Sequence, residues 1–142
     1  MAKTQTQREG QTPIFKEAPA FAGFSVKDLN ATKEFYGNTL GIDVDDQNGM
    51  MLFLNFDSGN RVLIYPKENH SPATFTVLNF PVDDIETTVD ELTMRGIKFE
   101  SYDIPGLKPN EKLIYRGEGP PIAWFKDPSG NILAVLEDSA NA

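Results

Sequence analysis

The sequence contains no cysteine and a single histidine, so two of the side chains that most often bind transition metals are almost missing. Without cysteine the chain forms no disulfide, no thiolate metal site and no cysteine nucleophile. The histidine, His70, lies in a polar stretch, where we expect a solvated linker residue rather than a ligand or a base. A chain free of cysteine suits a reducing compartment, and we predict a cytoplasmic protein.

Basic residues are also scarce: 13 stand against 21 acidic residues, for a formal net charge of −8. Nucleic acids and anionic membranes bind clusters of positive charge, so this composition argues against both as partners. No apolar run approaches the ~20 residues of a membrane-spanning helix. Residues 1–17 are rich in Gln and Thr and lack the apolar centre of a secretion signal, so we expect a flexible tail there.

A faint internal repeat is the strongest positive feature of the sequence. The two copies share a helix opening, a glycine at the helix end and a hairpin turn, which are Val26–Thr32 and Val82–Thr88, Gly41 and Gly96, and Ser58–Asn60 and Ser129–Asn131. Three landmarks in one order indicate two copies of one supersecondary unit. We therefore predict a single domain over residues 18–139, with modules at about 19–66 and 74–137 and a connector at 67–73.

Each module has the pattern of a strand, a helix and three further strands. Asp28 can cap a first helix that Gly41 ends, and the second helix carries Ile85, Val89 and Leu92 at helical spacing. Alternation and turn signals place the strands at 21–26, 42–45, 51–56 and 61–65, and at 74–80, 97–102, 121–126 and 131–136. The pattern predicts an α+β domain.

The second module is longer than the first by roughly fifteen residues. The extra residues fall in the stretch 104–120, which is rich in Pro, Gly and Lys. A loop of this length is usually functional or mobile, so we predict a lid over the site. Tyr115 and Arg116 lie near its end, and Arg116 is a candidate clamp for an anionic group.

The segment Ile122–Ile132, which reads IAWFKDPSGNI, resembles the last hairpin of the vicinal oxygen chelate superfamily, and the helix opening VKDL agrees. This superfamily contains glyoxalase I, the extradiol dioxygenases, and the bleomycin and fosfomycin resistance proteins. The resemblance covers about Pro19 to Glu137. It implies two tandem βαβββ modules whose eight strands form a curled, cup-like mixed sheet that holds the ligand. It also implies a homodimer, since binders of the bleomycin-resistance type place their ligand sites between subunits.

Enzymes of this superfamily hold a divalent ion with His, Gln or Glu from the first and last strand of each module. The resemblance carries these positions onto Phe21, Leu63, Val77 and Ala134. None of these side chains has a lone pair for a metal ion, which needs several N or O ligands. We therefore predict neither a metal nor another cofactor.

Strand alternation places further side chains on the face that carries those four positions. Ser25, Tyr65 and Asn79 add hydrogen-bonding groups to a surface that is otherwise apolar, a composition typical of small-molecule pockets, although a closed core is the alternative. Trp124 can stack on a flat ligand or pack behind the sheet. The candidate ligand-binding residues are Phe21, Ser25, Leu63, Tyr65, Val77, Asn79, Tyr115, Arg116, Trp124 and Ala134.

The preferred hypothesis is a metal-free protein that binds a small organic molecule, resembling the bleomycin-resistance type and breaking no bond. Two alternatives stay open. One is a glyoxalase-like lyase or isomerase, or a dioxygenase-like oxidoreductase; the other is a non-catalytic interaction module with a vestigial cup. The same fold hosts all of these activities, so the resemblance does not select among them.

Overall fold

A computed structural model of the chain describes Gly10 and residues 12–138. The predicted tail and the predicted domain end fall partly outside these residues and stay predictions. The elements are β1 Ala22–Val26, α1 Leu29–Glu34, a π-helical turn Phe35–Thr39, β2 Asp43–Asp46, β3 Leu52–Asn55, β4 Arg61–Pro66, β5 Thr76–Val82, α2 Ile85–Met94, β6 Lys108–Pro109, β7 Tyr115–Arg116, β8 Ile122–Lys126 and β9 Ile132–Glu137.

Both helices begin and end at the predicted landmarks. The Asp28 and Asp84 carboxylates each accept a hydrogen bond from the backbone N–H three residues on, at 3.1 and 3.2 Å. Gly41 comes after the π-helical turn that continues α1, and Gly96 comes after α2; their φ angles of 75° and 95° lie in a region that glycine adopts without strain. No helix in the described part of the chain is long and apolar enough to cross a membrane.

The strands divide between two sheets of the same topology. Sheet 1 has the order β1-β4-β3-β2, and sheet 2 has the order β5-β9-β8-β7-β6. In each sheet the first strand of the module pairs in parallel with the last, β1 with β4 and β5 with β9, while the other pairs are antiparallel. The α+β fold of two related modules is confirmed, with neither sheet closed into a barrel. Both β1 and β5 are edge strands.

The two modules share one hydrophobic core. Leu54 and Ile64 of sheet 1 and Phe125 and Val135 of sheet 2 are at most 2% exposed and belong to this core. The Phe35 ring, at the end of α1, lies 6.4 Å from the Phe125 ring across the module boundary. Because strand side chains alternate, the neighbours of these buried residues point to the opposite face. Each sheet therefore turns an inner face to the core and an outer face away from it.

The prediction of a strand over residues 97–102 is wrong. This segment is irregular, and its one backbone bond to sheet 2 runs from Glu100 N–H to the Trp124 carbonyl at 2.8 Å. The alternation that suggested a strand is genuine, since Ile97 is buried and Phe99 packs 5.5 Å from the Phe125 ring. Apolar side chains at alternate positions can thus enter the core without forming a ladder.

The predicted lid, residues 104–120, is packed against α2. It contains β6 and β7, and the side chains of Ile114 and Tyr115 are fully buried. Lys112 Nζ lies 3.2 Å from a Glu86 carboxylate oxygen and 3.0 Å from one of Asp90, both on α2. The long insertion extends sheet 2 and does not stand open as a free flap.

Candidate functional site

Four of the candidate residues lie on or beside the outer face of sheet 1: Phe21, Ser25, which pairs with Tyr65 in register, Leu63 and Tyr65. Val62 and Ile64, the neighbours of Leu63 in β4, are buried in the core, whereas Leu63 is only half-buried. Because strand side chains alternate, Leu63 faces away from the core. Tyr65 shares its parity and is 40% exposed. Phe21, which precedes β1, is 50% exposed. Grouped apolar side chains at a surface are characteristic of ligand or partner sites.

Sequence analysis missed two residues on this face, Phe53 and Arg61. Phe53 pairs with Leu63 in register, and its ring meets the Phe21 ring edge to face at 5.4 Å. The Arg61 guanidinium carbon lies 3.7 Å from the centroid of the Phe53 ring. Strand alternation with Leu63 and Tyr65 could have placed Arg61 on this face from the sequence. Placing Phe53 required the register between β3 and β4, which is known only once the strands are paired.

The candidate residues of β5, β8 and β9 lie together on sheet 2. Ala134 is the register partner of both Asn79 and Trp124. Asn79 is exposed, Ala134 is fully buried, and the Trp124 indole N–H donates to the Thr76 hydroxyl at 3.1 Å. Val77 lies at a register shift between Thr76 and Leu78, is half-buried and packs against the shared core. Ala123 and Phe125, the neighbours of Trp124 in β8, are buried in the core. Trp124 therefore lies on the outer face of sheet 2.

An aromatic cluster covers one end of this face. The Tyr102 and Tyr115 rings lie 5.6 and 5.4 Å from the Trp124 ring. The Tyr115 hydroxyl donates to the Tyr102 carbonyl at 2.8 Å. The Tyr102 hydroxyl is buried and has no hydrogen-bond partner within the described residues; burial, with the nearby Glu100 charge, raises its pKa. Tyr115 contacts Trp124 and is fully buried, so it is shielded from a ligand.

Arg116, the predicted anion clamp, faces α2. Its Nη2 lies 3.3 Å from a Glu86 carboxylate oxygen, which already supplies its opposite charge.

The connector brings His70 into contact with both modules, so the expectation of a solvated linker residue is wrong. Its Nδ1 lies 2.6 Å from the Ser25 hydroxyl, and its Nε2 lies 3.1 Å from the Ser129 carbonyl oxygen. A carbonyl oxygen only accepts, so we assign the proton of the neutral ring to Nε2. Nδ1 then accepts the Ser25 hydroxyl hydrogen, which leaves the oxygen lone pairs of Ser25 for a donor on a ligand.

The residues present do not fit the divalent ion of the superfamily's enzymes. The four positions carried over, Phe21, Leu63, Val77 and Ala134, offer only hydrocarbon side chains. Among the described residues, no group of three or more His, Cys, Asp or Glu side chains lies together to replace them. A protein metal site needs such donors, so we derive no metal-dependent step.

A separate, partly open pocket of about 180 Å³ lies between the two modules. It is apolar except for Thr88, and ligand pockets usually have volumes of ~300 Å³ or more. Its lining includes Leu40, Ile42, Phe56, Phe80 and Leu92. We attribute it to incomplete packing between the modules.

The candidate residues do not converge within one chain. Leu63 and Tyr65 lie on the outer face of sheet 1, and Trp124 and Asn79 lie on that of sheet 2. Both inner faces meet the shared core, so the outer faces point away from it. The candidate residues of one chain therefore lie on two separate faces, and the fold is that of a two-module α+β protein with outward-facing sheets.

The family model described as the Glyoxalase/Bleomycin resistance protein/Dioxygenase superfamily matches residues 19–135. The chain belongs to this superfamily, and the resemblance to vicinal oxygen chelate proteins is confirmed.

One protein with a similar sequence and two solved structures are similar to this chain. The chain is 25% identical over 126 residues to the uncharacterized protein YraH of Bacillus subtilis (strain 168), covering 79% of this chain and 91% of YraH. It is similar to the crystal structure of the glyoxalase family protein from Enterococcus faecalis, with TM-score 0.62, 26% identity, and coverage of 87% and 98%. It also resembles TnmS3, an antibiotic binding protein from Streptomyces sp. CB03234, with TM-score 0.60, 22% identity, and coverage of 84% and 96%. The similarity to TnmS3 shows a shared fold only.

Proposed function

We propose that this protein binds a small organic molecule on the outer faces of its sheets, without a metal ion and without a chemical step. The proposal rests on the hydrocarbon side chains at the four positions that the resemblance assigns to the metal ion, Phe21, Leu63, Val77 and Ala134, and on the presence of Tyr65 and Trp124 on the outer faces of the sheets. Apolar and aromatic linings with a few polar groups are typical of small-molecule sites.

The site we propose is completed by a second copy of the chain. The outer faces of one chain point apart, so enclosing a ligand requires sheet 1 of one protomer beside sheet 2 of its partner. β1 and β5 are edge strands, and an edge strand has unpaired backbone groups that can meet another chain. A two-fold symmetric dimer would contain two such cups.

A structural neighbour supports a binding role. TnmS3 has the same fold and is an antibiotic binding protein. Its likeness supports the use of this fold for binding, while the chemistry of the ligand must be argued from the residues of this chain.

Elemental analysis and a ligand screen on the purified full chain test the proposal. After incubation with nickel, zinc, manganese or ferrous ions and gel filtration, we expect far less than one ion per chain. Flat aromatic molecules should change the fluorescence of Trp124, the sole tryptophan. Retention of one ion per chain, together with isomerase or dioxygenase turnover, would overturn the proposal.

A pair of variants locates the binding event. Leu63→Asn changes the outer face of sheet 1, while Met94→Asn changes an apolar residue of α2 that is 82% exposed. Loss of a buried apolar contact on the ligand should weaken binding by about tenfold in the first variant. The second should bind as the wild type does. Equal binding by both variants would place the ligand elsewhere.

A further inference from the structure

Arg61 packs on two aromatic rings on the outer face of sheet 1. It opens β4 on the face that carries Leu63 and Tyr65. Its guanidinium carbon lies 3.7 Å from the Phe53 ring centroid and 5.8 Å from that of Phe21. Stacking on an aromatic face restrains the flexible arginine stem and leaves the N–H edge of the guanidinium able to donate.

The charge of Arg61 is not balanced by a neighbouring carboxylate. Within the described residues, Arg95 and Arg116 form ion pairs with Glu91 and Glu86, but Arg61 lies within salt-bridge distance of no acidic side chain. The chain carries 21 acidic residues, so partners are not scarce. An arginine that is ordered by aromatic rings and unpaired is suited to an external anion.

Arg61 also lines a surface pocket. Its volume is about 300 Å³, at the lower end of the range usual for ligand sites. Its lining consists of Pro19, Ala20, Phe21, Gly59, Asn60 and Arg61. Phe21 is half-exposed, so part of its ring is free to contact a second ring.

We propose that Arg61 is the anion-binding residue of the ligand site, and that the ligand class is a planar aromatic molecule carrying a carboxylate. The carboxylate accepts two hydrogen bonds from the guanidinium edge, and the aromatic part packs against Phe21. This assignment rests on the proposed binding function and adds a ligand class to it. It transfers the clamp role from Arg116, which Glu86 already neutralises, to Arg61.

Calorimetric titration of the full chain with three matched probes tests the assignment. The probes are 2-naphthoate, the neutral 2-naphthamide and the cationic 2-naphthylmethylammonium. A charge-assisted bidentate pair should make naphthoate bind about tenfold more tightly than the amide. Added salt should reduce this preference, because screening weakens the ion pair and leaves the amide unaffected.

Two variants assign the preference to a residue. Arg61→Gln should reduce the naphthoate preference to less than about twofold, while its affinity for the amide stays close to that of wild type. Arg116→Gln should keep the full preference. Because Arg61 is exposed and begins a strand, the glutamine variant should fold normally, which its circular dichroism spectrum checks.

The outcomes separate this inference from the function on which it rests. If the amide or the cation binds as well as naphthoate, or if Arg61→Gln keeps the preference, the anion assignment is overturned and binding itself stands. If none of the three probes binds the wild type at millimolar concentration, the assignment and the proposed binding of flat organic molecules both fail.

Discussion

At the scale of single residues, a buried pair joins the two modules. The Tyr36 hydroxyl donates to Asp127 at 2.8 Å, and both side chains are buried. The Asp127 carboxylate also accepts from the backbone N–H groups of Ser129 and Asn131 at 2.9 Å each. A buried carboxylate is costly unless such donors surround it. Burial raises the pKa of Tyr36 far above its ordinary range, and the Asp127 charge adds to the effect.

The Tyr36 environment predicts an alkaline loss of stability. In the unfolded chain Tyr36 ionises near pH 10, while the folded chain keeps the proton. The unfolded state therefore binds fewer protons above that pH, and the free energy of unfolding falls by about 1.4 kcal/mol per pH unit from this group. We expect Tyr36→Phe to have a correspondingly shallower fall, measured by urea unfolding between about pH 8 and about pH 11.

The exposed Tyr65 provides the control. Tyr65→Phe should follow the wild-type slope. If Tyr36→Phe also follows it, the folded protein does not hold the Tyr36 proton as the structure indicates.

The His70 bridge makes a second prediction at this scale. His70→Ala removes hydrogen bonds to Ser25 and Ser129 and leaves both partners partly buried. We expect a loss of about 1–3 kcal/mol in the free energy of unfolding. Urea unfolding measures this loss, and the dependence of the free energy of unfolding on urea concentration should stay the same as in the wild type. The neighbouring, exposed Asn69 is the control, and Asn69→Ala should change stability by less than about 0.5 kcal/mol.

At the scale of elements, the insertion of residues 104–120 shows how a long segment is ordered without forming a free lid. Ile114 and Tyr115 are buried, and Lys112 bridges Glu86 and Asp90 on α2. The burial supplies most of the stabilisation, because surface ion pairs contribute only about 0–1 kcal/mol.

Removing the Lys112 ion pairs should therefore affect the local stability of the insertion and change the stability of the whole protein little. In Lys112→Met, we expect global stability within about 1 kcal/mol of wild type but faster amide exchange over residues 108–116. Hydrogen exchange read by mass spectrometry measures the difference. Lys108→Met, at an exposed position of β6, should leave exchange unchanged. A global loss of stability in Lys112→Met would mean that the bridge contributes to the core.

At the scale of the whole molecule, the two modules share one core, and the outer faces of both sheets point away from it. Leu63 and Tyr65 on one face and Trp124 on the other cannot enclose the same ligand within one chain. The site proposed here therefore depends on association.

We expect sedimentation equilibrium at micromolar concentration to give twice the chain mass of 15.8 kDa. Because each cup would contain one copy of each sheet, the titrations should give one ligand per chain. Met94→Asn, on α2 and away from the outer faces, should keep both values. Ligand binding by a protein that stays monomeric would show that a single face suffices and would contradict the shared cup.

Much of the fold was predictable because its signals are local. Aspartate caps, glycine stops and the repeated hairpin turns act within a few residues, so they placed both helices and the strands around them. The prediction of a strand over residues 97–102 was wrong because it also depended on a local signal. The alternation of Ile97 and Phe99 is local, but the backbone partner that defines a strand is not.

The sequence by itself determined the two modules, the helix ends, the family and the absence of metal donors at Phe21, Leu63, Val77 and Ala134. Each of these follows from residue identity or from spacing along the chain. The tertiary structure decided that the sheets share a core with outward faces, that Glu86 neutralises Arg116, and that Arg61 lies on Phe53. The reason is physical: register and packing join residues far apart in sequence, and a side chain's partners depend on which element the fold brings beside it.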